Sequence, residues 1–173
     1  IPAQNPAVVD SLNHLISRAP NDTLRIRYTY DLAWHYRDSD PEKFLQLTGE
    51  AMKASQNKSY LFGIAKGYIL NGIMHTIQGN FAEAEKNYLE CKKVREQMHD
   101  TLGVAAVLNN IGTNHLYLGN LQKALDYFFQ SLRIEETCSG SAQHIAQSYV
   151  NIGDVYMAMK EYDKAIEYFN KYM

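Results

Sequence analysis

Two histidines, His75 and His115, stand at the same place in a block that recurs about every forty residues. A matched pair of imidazoles is how many zinc sites begin, but a tetrahedral site needs four ligands, and the periodicity supplies no further two. Each histidine is therefore read as a replacement for a core aromatic, hydrogen-bonded locally. The thiols lead no further. Cys91 falls in a small-residue slot within a helical stretch and reads as a buried small hydrophobe. Cys138 lies in the polar turn Thr137-Cys138-Ser139-Gly140-Ser141, in a different repeat, so an intramolecular disulfide is not expected. Phosphate loops, paired CxxC motifs, HExxH and a Gly-x-Ser-x-Gly elbow are all missing from the sequence. The expectation is a protein that is not an enzyme, with no metal and no cofactor.

Amides are better placed to hold something. Asn110 and Asn151 each stand immediately before an Ile-Gly pair, in Asn110-Ile111-Gly112 and Asn151-Ile152-Gly153. A side-chain amide carries both a donor and an acceptor, which matches the needs of an extended peptide backbone. The same group can equally bond a neighbouring helix, and the sequence leaves both readings open.

The elements that position these residues are set by the repeat itself. The glycines Gly72, Gly112 and Gly153 are followed at fixed offsets by Phe81, Leu121 and Tyr162, by Ala84, Ala124 and Ala165, and by Tyr88, Phe128 and Phe169. Ala33 continues the series toward the N-terminus, with spacings of 39, 40 and 41. A glycine inside a helix costs about 1 kcal/mol relative to alanine, so a tight contact must offset it. The expectation is that the alanines lie opposite the glycines and that the aromatics fill the space between successive repeats. No single helix pair buries its apolar stripe alone; stacking does.

The predicted fold is all-α. All four prolines fall within the first 41 residues, and no stretch alternates in the manner of a strand. A first helix is predicted over 6–18, A helices near 22–37, 60–78, 102–118 and 142–159, and B helices near 41–55, 81–97, 121–136 and 162–173. Asp40 and Pro41 form an N-cap and first helical position. The excess over a 34-residue unit is assigned to longer helices joined by tight turns. Residues 1–173 are read as one repeat domain, with repeats about 22–57, 60–99, 101–138 and 142–173, cut from a longer protein.

The blocks resemble the tetratricopeptide repeat over roughly residues 22–173, through Tyr68, Leu108 and Tyr149 early in helix A and Ile111 and Ile152 in the leucine slot. Cys91 and Ser131 fill the late small slot, and Gly79 and Gly119 close helix A. Departures are Asn71 for leucine, His75 and His115 for tyrosine, and Lys160 for the turn glycine. The resemblance implies an α-solenoid, a right-handed superhelix of antiparallel helix pairs, whose A helices line a concave groove.

Carried over position by position, the family pattern puts Arg27, Tyr30, Asp31 and Trp34 of the first repeat on that groove. The second contributes Lys66, Ile69, Leu70 and Ile73, the third Asn109, Asn110, Thr113 and Leu116, and the fourth Gln147, Val150, Asn151 and Asp154. In related repeats an asparagine at the Asn110 slot reaches the backbone of a bound peptide. Trp34 is either an interface anchor or packed against the first helix around Val8 to Ile16.

The phrases Asp31-Leu32-Ala33-Trp34-His35-Tyr36-Arg37 and Leu108-Asn109-Asn110-Ile111-Gly112 look like the N-terminal arrays of bacterial signalling proteins, such as sensor histidine kinases and nucleotide cyclases. The implied function is a protein- or peptide-binding scaffold serving as a sensory or regulatory input domain. The alternative is a structural spacer that forms a homodimer through its open repeat ends. A net charge of −2 without a basic stripe argues against nucleic acid. No apolar run reaches the 18 to 20 residues of a membrane span, so this segment is not expected to insert. Ile1-Pro2-Ala3-Gln4 at the start leaves a periplasmic or extracytoplasmic location and a cytoplasmic one equally open. Asn21-Asp22-Thr23 and Asn57-Lys58-Ser59 match the glycosylation sequon.

Overall fold

The computed structural model describes residues 6–138 and 140–172. Among these, nine helices follow one another with no strand: α1 (Pro6–Ser17), α2 (Asp22–Tyr36), α3 (Pro41–Asn57), α4 (Leu61–Ile77), α5 (Phe81–Gln97), α6 (Thr101–Tyr117), α7 (Leu121–Thr137), α8 (Ala142–Ala158) and α9 (Tyr162–Tyr172). The helix ends fall within two residues of those predicted. From α4 to α7 each helix is 17 residues long, and the turns 78–80, 98–100 and 118–120 are three residues each. Two such helices and two such turns account for the forty-residue period. Helices close to five turns long, joined as tightly as the chain allows, generate the repeat.

The starts and stops have local causes. Asn21, Asp40, Asp100 and Ser141 each accept a backbone N–H of the first turn of α2, α3, α6 and α8, and Pro41 opens α3 where no N–H is needed. Gly79 and Gly119 leave α4 and α6 with φ of +75° and +74°, in the left-handed region where a Cβ is costly. Lys160 takes the same conformation after α8 with φ of +62° and has a Cβ to accommodate.

The chain divides into two compact units, one ending at Asn80 and the other beginning at Phe81. In the first, Ile26, Tyr30 and Ala33 of α2 pack with Phe44, Leu47 and Ala51 of α3 and with Leu70 and Met74 of α4. Val9, Leu12 and Ile16 seat α1 on this cluster. In the second, Ala124, Leu125, Phe128 and Leu132 of α7 pack with Ile152 and Val155 of α8. Each fully buried Phe or Leu stabilises such a unit by about 1.5 to 3 kcal/mol.

The glycine contact differs from the expected one. A Cβ built on Gly112 would lie 2.7 Å from the Phe128 ring, and one on Gly153 would lie 2.4 Å from the Phe169 ring. The aromatic four positions after the alanine, not Ala124 or Ala165, makes the closest approach to each glycine. The alanines are fully buried nonetheless. A flat ring presses against a bare backbone better than a methyl does, and Phe128 also joins the core that α7 shares with α8.

Candidate functional site

On the groove side of the second unit, α6 and α8 run beside one another as A helices of successive repeats. Between them lies a cavity of about 350 Å³ lined by Asn109, Asn110, Thr113, Gln147 and Asn151, together with Ala106, Glu135 and His144. The first five belong to the predicted groove set, and the structure brings them together. Leu116 packs instead toward the core of α7 and α8, and Val150 and Asp154 lie outside the cavity lining.

The side chains around this cavity form one directed chain of hydrogen bonds. At its base stands Glu135, near the end of α7 and only 3% exposed. A carboxylate accepts and cannot donate, so Ser148 Oγ must donate to Glu135 Oε2, at 2.8 Å. With its proton committed, Ser148 accepts from Asn109 Nδ2 at 3.1 Å. That turns Asn109 Oδ1 toward Asn151, whose Nδ2 donates to it. Asn151 Oδ1 then accepts from Gln147 Nε2 at 3.0 Å. The order Gln147 to Asn151 to Asn109 to Ser148 to Glu135 thus fixes which atoms of each of these side chains are engaged within the chain. Asn110 stands apart: its Nδ2 donates to the Ala106 carbonyl of its own helix at 2.8 Å, and its Oδ1 makes no hydrogen bond among the described residues.

The two slot-equivalent asparagines therefore take different parts. Asn151 joins α8 to α6, whereas Asn110 turns back on its own helix. Of the readings left open by the sequence, Asn151 takes the bond to a neighbouring helix.

Glu135 and Ser148 were missed by sequence reasoning, because Ile134-Glu135-Glu136-Thr137 reads as a solvated helix end. One signal was available. The repeat-equivalent residue of α5 is Arg95, which pairs with Asp100 at the start of α6. A charge reversal at one repeat slot, with Ser131 one turn before it, marks Glu135 as facing a different partner.

The first unit corrects two predicted groove residues, Tyr30 and Leu70, and divides the rest. Tyr30 is 2% exposed and donates its hydroxyl to the Gly63 carbonyl at 2.7 Å, tying α2 to α4. Burial, offset in part by the Ser55 hydroxyl, pushes its phenol up to about 12. It faces inward because Ile26, Tyr30 and Ala33 share one helical face. Leu70 is buried for the same reason. Arg27, Asp31 and Trp34 are exposed, while Lys66, Ile69 and Ile73 are half-buried. Trp34 carries the Arg37 guanidinium 4.3 Å above its ring centre.

The histidines do not converge on a metal. Among the described residues no three His, Cys, Asp or Glu side chains gather as a metal-binding group. His115 is buried, stacked on Tyr127 at 5.4 Å, with Asn120 Nδ2 3.4 Å from its Nδ1 and Glu85 3.6 Å from its Nε2. His75 Nδ1 is buried without a hydrogen-bond partner among the described residues, so the expected local bond forms at His115 and not at His75 Nδ1. Cys91 is buried and Cys138 exposed, and neither is in a disulfide. Among the described residues no helix is long and apolar enough to cross a membrane.

Stacked antiparallel helix pairs of this kind, with a polar groove between A helices, define the class as an all-helical α-solenoid. Family profiles described as tetratricopeptide repeat match residues 63–137 and 146–172, and the chain carries tetratricopeptide repeats. A curated relative, the photosystem I assembly protein Ycf3 of Rippkaea orientalis, is 32% identical over 113 residues, covering 60% of this chain and 62% of that protein. The chain thus spans less than two thirds of that relative's length. Among solved structures, a Rap protein complexed with Competence and Sporulation Factor superposes with a TM-score of 0.84 at 16% identity, covering 94% of this chain and 46% of that one. NprR in complex with its cognate peptide NprX gives 0.79 at 18% identity, covering 95% and 48%. These likenesses show the fold.

Proposed function

We propose that this chain is the peptide-binding, regulatory input portion of a larger signalling protein, with the amide-lined cavity between α6 and α8 as the place where an extended segment is held. One observation carries the reading: side-chain amides from two successive A helices converge on a single cavity, with the oxygens of Asn110 and Gln147 unengaged among the described residues. Solved structures of the same fold include complexes with a signalling factor and with a cognate peptide, which supports a peptide as occupant. The relative named as an assembly protein supports a binding role over a catalytic one.

Selection of binders from a random peptide library on the isolated chain tests the reading. Saturable binding is expected, weakened about 2- to 13-fold by Asn110→Ala, as suits the loss of one net hydrogen bond of 0.5 to 1.5 kcal/mol. Selected peptides that bind the variant as well as the parent would place the binding surface elsewhere.

A second reading, self-association through a repeat end, rests on α9. There Tyr162 and Ile166 stand 55% and 57% exposed. Sedimentation across a concentration series decides it: a monomer at about 0.1 mM removes it.

A further inference from the structure

We infer that the cavity between α6 and α8 takes a cationic side chain, an arginine or lysine of the bound segment, with Glu135 as its counter-ion. The inference rests on the peptide-binding reading and names what that site selects.

The buried carboxylate is the starting point. Glu135 is 3% exposed, and among the described residues no Lys, Arg or His is paired with it. Taking a carboxylate out of water is costly unless it is paired and hydrogen-bonded. The protein meets half of that need. Ser148 serves Oε2 at 2.8 Å, but Oε1 has only the Ser131 hydroxyl at 3.3 Å, and that hydroxyl lies closer to the Ala105 carbonyl, at 2.8 Å. A hydroxyl has one proton, so Oε1 is the less satisfied oxygen.

The rest of the cavity points the same way. Because the carboxylate directs the hydrogen-bond chain, Gln147 gives one N–H to Asn151, and its Oε1 makes no hydrogen bond among the described residues. Asn110 gives one N–H to Ala106, and its Oδ1 is likewise unengaged. Each of the two amides keeps a second N–H, so what gives the lining its sign is Glu135, its one carboxylate, beside two open amide oxygens. Such a surface fits a group that is all donor, and a guanidinium or ammonium is all donor and positive. A peptide carboxylate or acidic side chain would meet like charge and acceptor lone pairs. The cavity's volume of about 350 Å³ is ample for one long basic side chain.

The repeat shows the same slot answered internally one unit earlier, where Arg95 pairs with Asp100. In α7 the sign is reversed, and among the described residues no side chain of opposite charge is paired with Glu135; His144, which shares the cavity lining, makes no ion pair with it.

The test titrates the 173-residue chain with blocked pentapeptides of alanine carrying a central arginine, citrulline or glutamate. Side-chain amide resonances of Asn109, Asn110, Gln147 and Asn151 are followed by NMR. Citrulline keeps the shape of arginine and loses its charge. The arginine peptide is expected to shift these resonances saturably, about tenfold or more tighter than the citrulline peptide, with none from the glutamate peptide. Glu135→Gln is expected to erase the arginine preference. Should that variant fail to fold, the comparison on the unaltered chain decides, and the preference should shrink as salt is raised. Equal affinity for arginine and citrulline at these resonances overturns the inference and leaves the peptide groove standing. No shift with any of the peptides overturns both. Agmatine binding as tightly as the arginine peptide would overturn the assignment to a peptide side chain.

Discussion

Asn151 of α8 donates its side-chain amide to Asn109 Oδ1 of α6, so two successive A helices are joined through their groove faces across 42 positions of sequence. Asn110, one residue along and in the slot equivalent to Asn151, bonds among the described residues to the Ala106 carbonyl of its own helix. Asn151→Ala should therefore destabilise by about 1 kcal/mol, the net value of a hydrogen bond whose partner is left half-buried. Asn110→Ala should cost about 0.5 kcal/mol or less. Urea melts of the two variants check this, and equal losses would contradict the asymmetry.

Gly112 and Gly153 have aromatic rings where a Cβ would stand. Gly112→Leu should destabilise by several kcal/mol, because overpacking costs roughly 1 to 3 kcal/mol before backbone displacement is counted. Ala124→Leu should cost about 1 to 3 kcal/mol on the same ground, since Ala124 is fully buried. Thermal melts leaving both variants within about 0.5 kcal/mol of the parent would refute the packing account.

Lys160 occupies the left-handed conformation that Gly79 and Gly119 occupy after the equivalent helices. An L-residue pays about 1 to 2 kcal/mol there, offset in glycine by its greater freedom when unfolded. Lys160→Gly should stabilise by about 0.5 to 1 kcal/mol. A loss of stability on chemical denaturation would show that the Lys160 side chain contributes more than its backbone costs.

Tyr30 gives the protein an alkaline limit. Its phenol is raised to about 12 in the folded state against an ordinary value of 10, so between these values the folded state keeps a proton that the unfolded state releases. The stabilisation is complete below pH 10 and is lost as pH rises through 12, by about 1.4 kcal/mol per pH unit over that window. Tyr30→Phe should lose about 1 kcal/mol at neutral pH, with its bond to the Gly63 carbonyl, and should show a shallower decline above pH 10. Denaturation midpoints at pH 7, 10 and 11.5 suffice; an unchanged slope would mean the phenol is not the group responsible.

The sequence by itself determined the helices, their ends and their period. Glycine offsets, capping side chains such as Asp40 and Asp100, and turn glycines act over a few residues, so their consequences are written locally. The family pattern, carried over position by position, also put Asn109, Asn110, Thr113, Gln147 and Asn151 in the groove set, and these five line one cavity, since a 3.6-residue period decides which residues share a helix face. Tyr30 went astray by the same rule, since a shift of one position on a helix turns a side chain by about 100° and carries it from groove to core.

Only the tertiary structure decided what each groove residue does. Asn110 and Asn151 are each followed by Ile-Gly, yet Asn151 meets Asn109 and Asn110 does not. Glu135 reads as one more charge near a helix end until α8 brings Ser148 over it. A hydrogen bond between repeats depends on atoms that chain separation alone does not bring within 3 Å. The direction of the whole amide chain then follows from one buried carboxylate that can only accept.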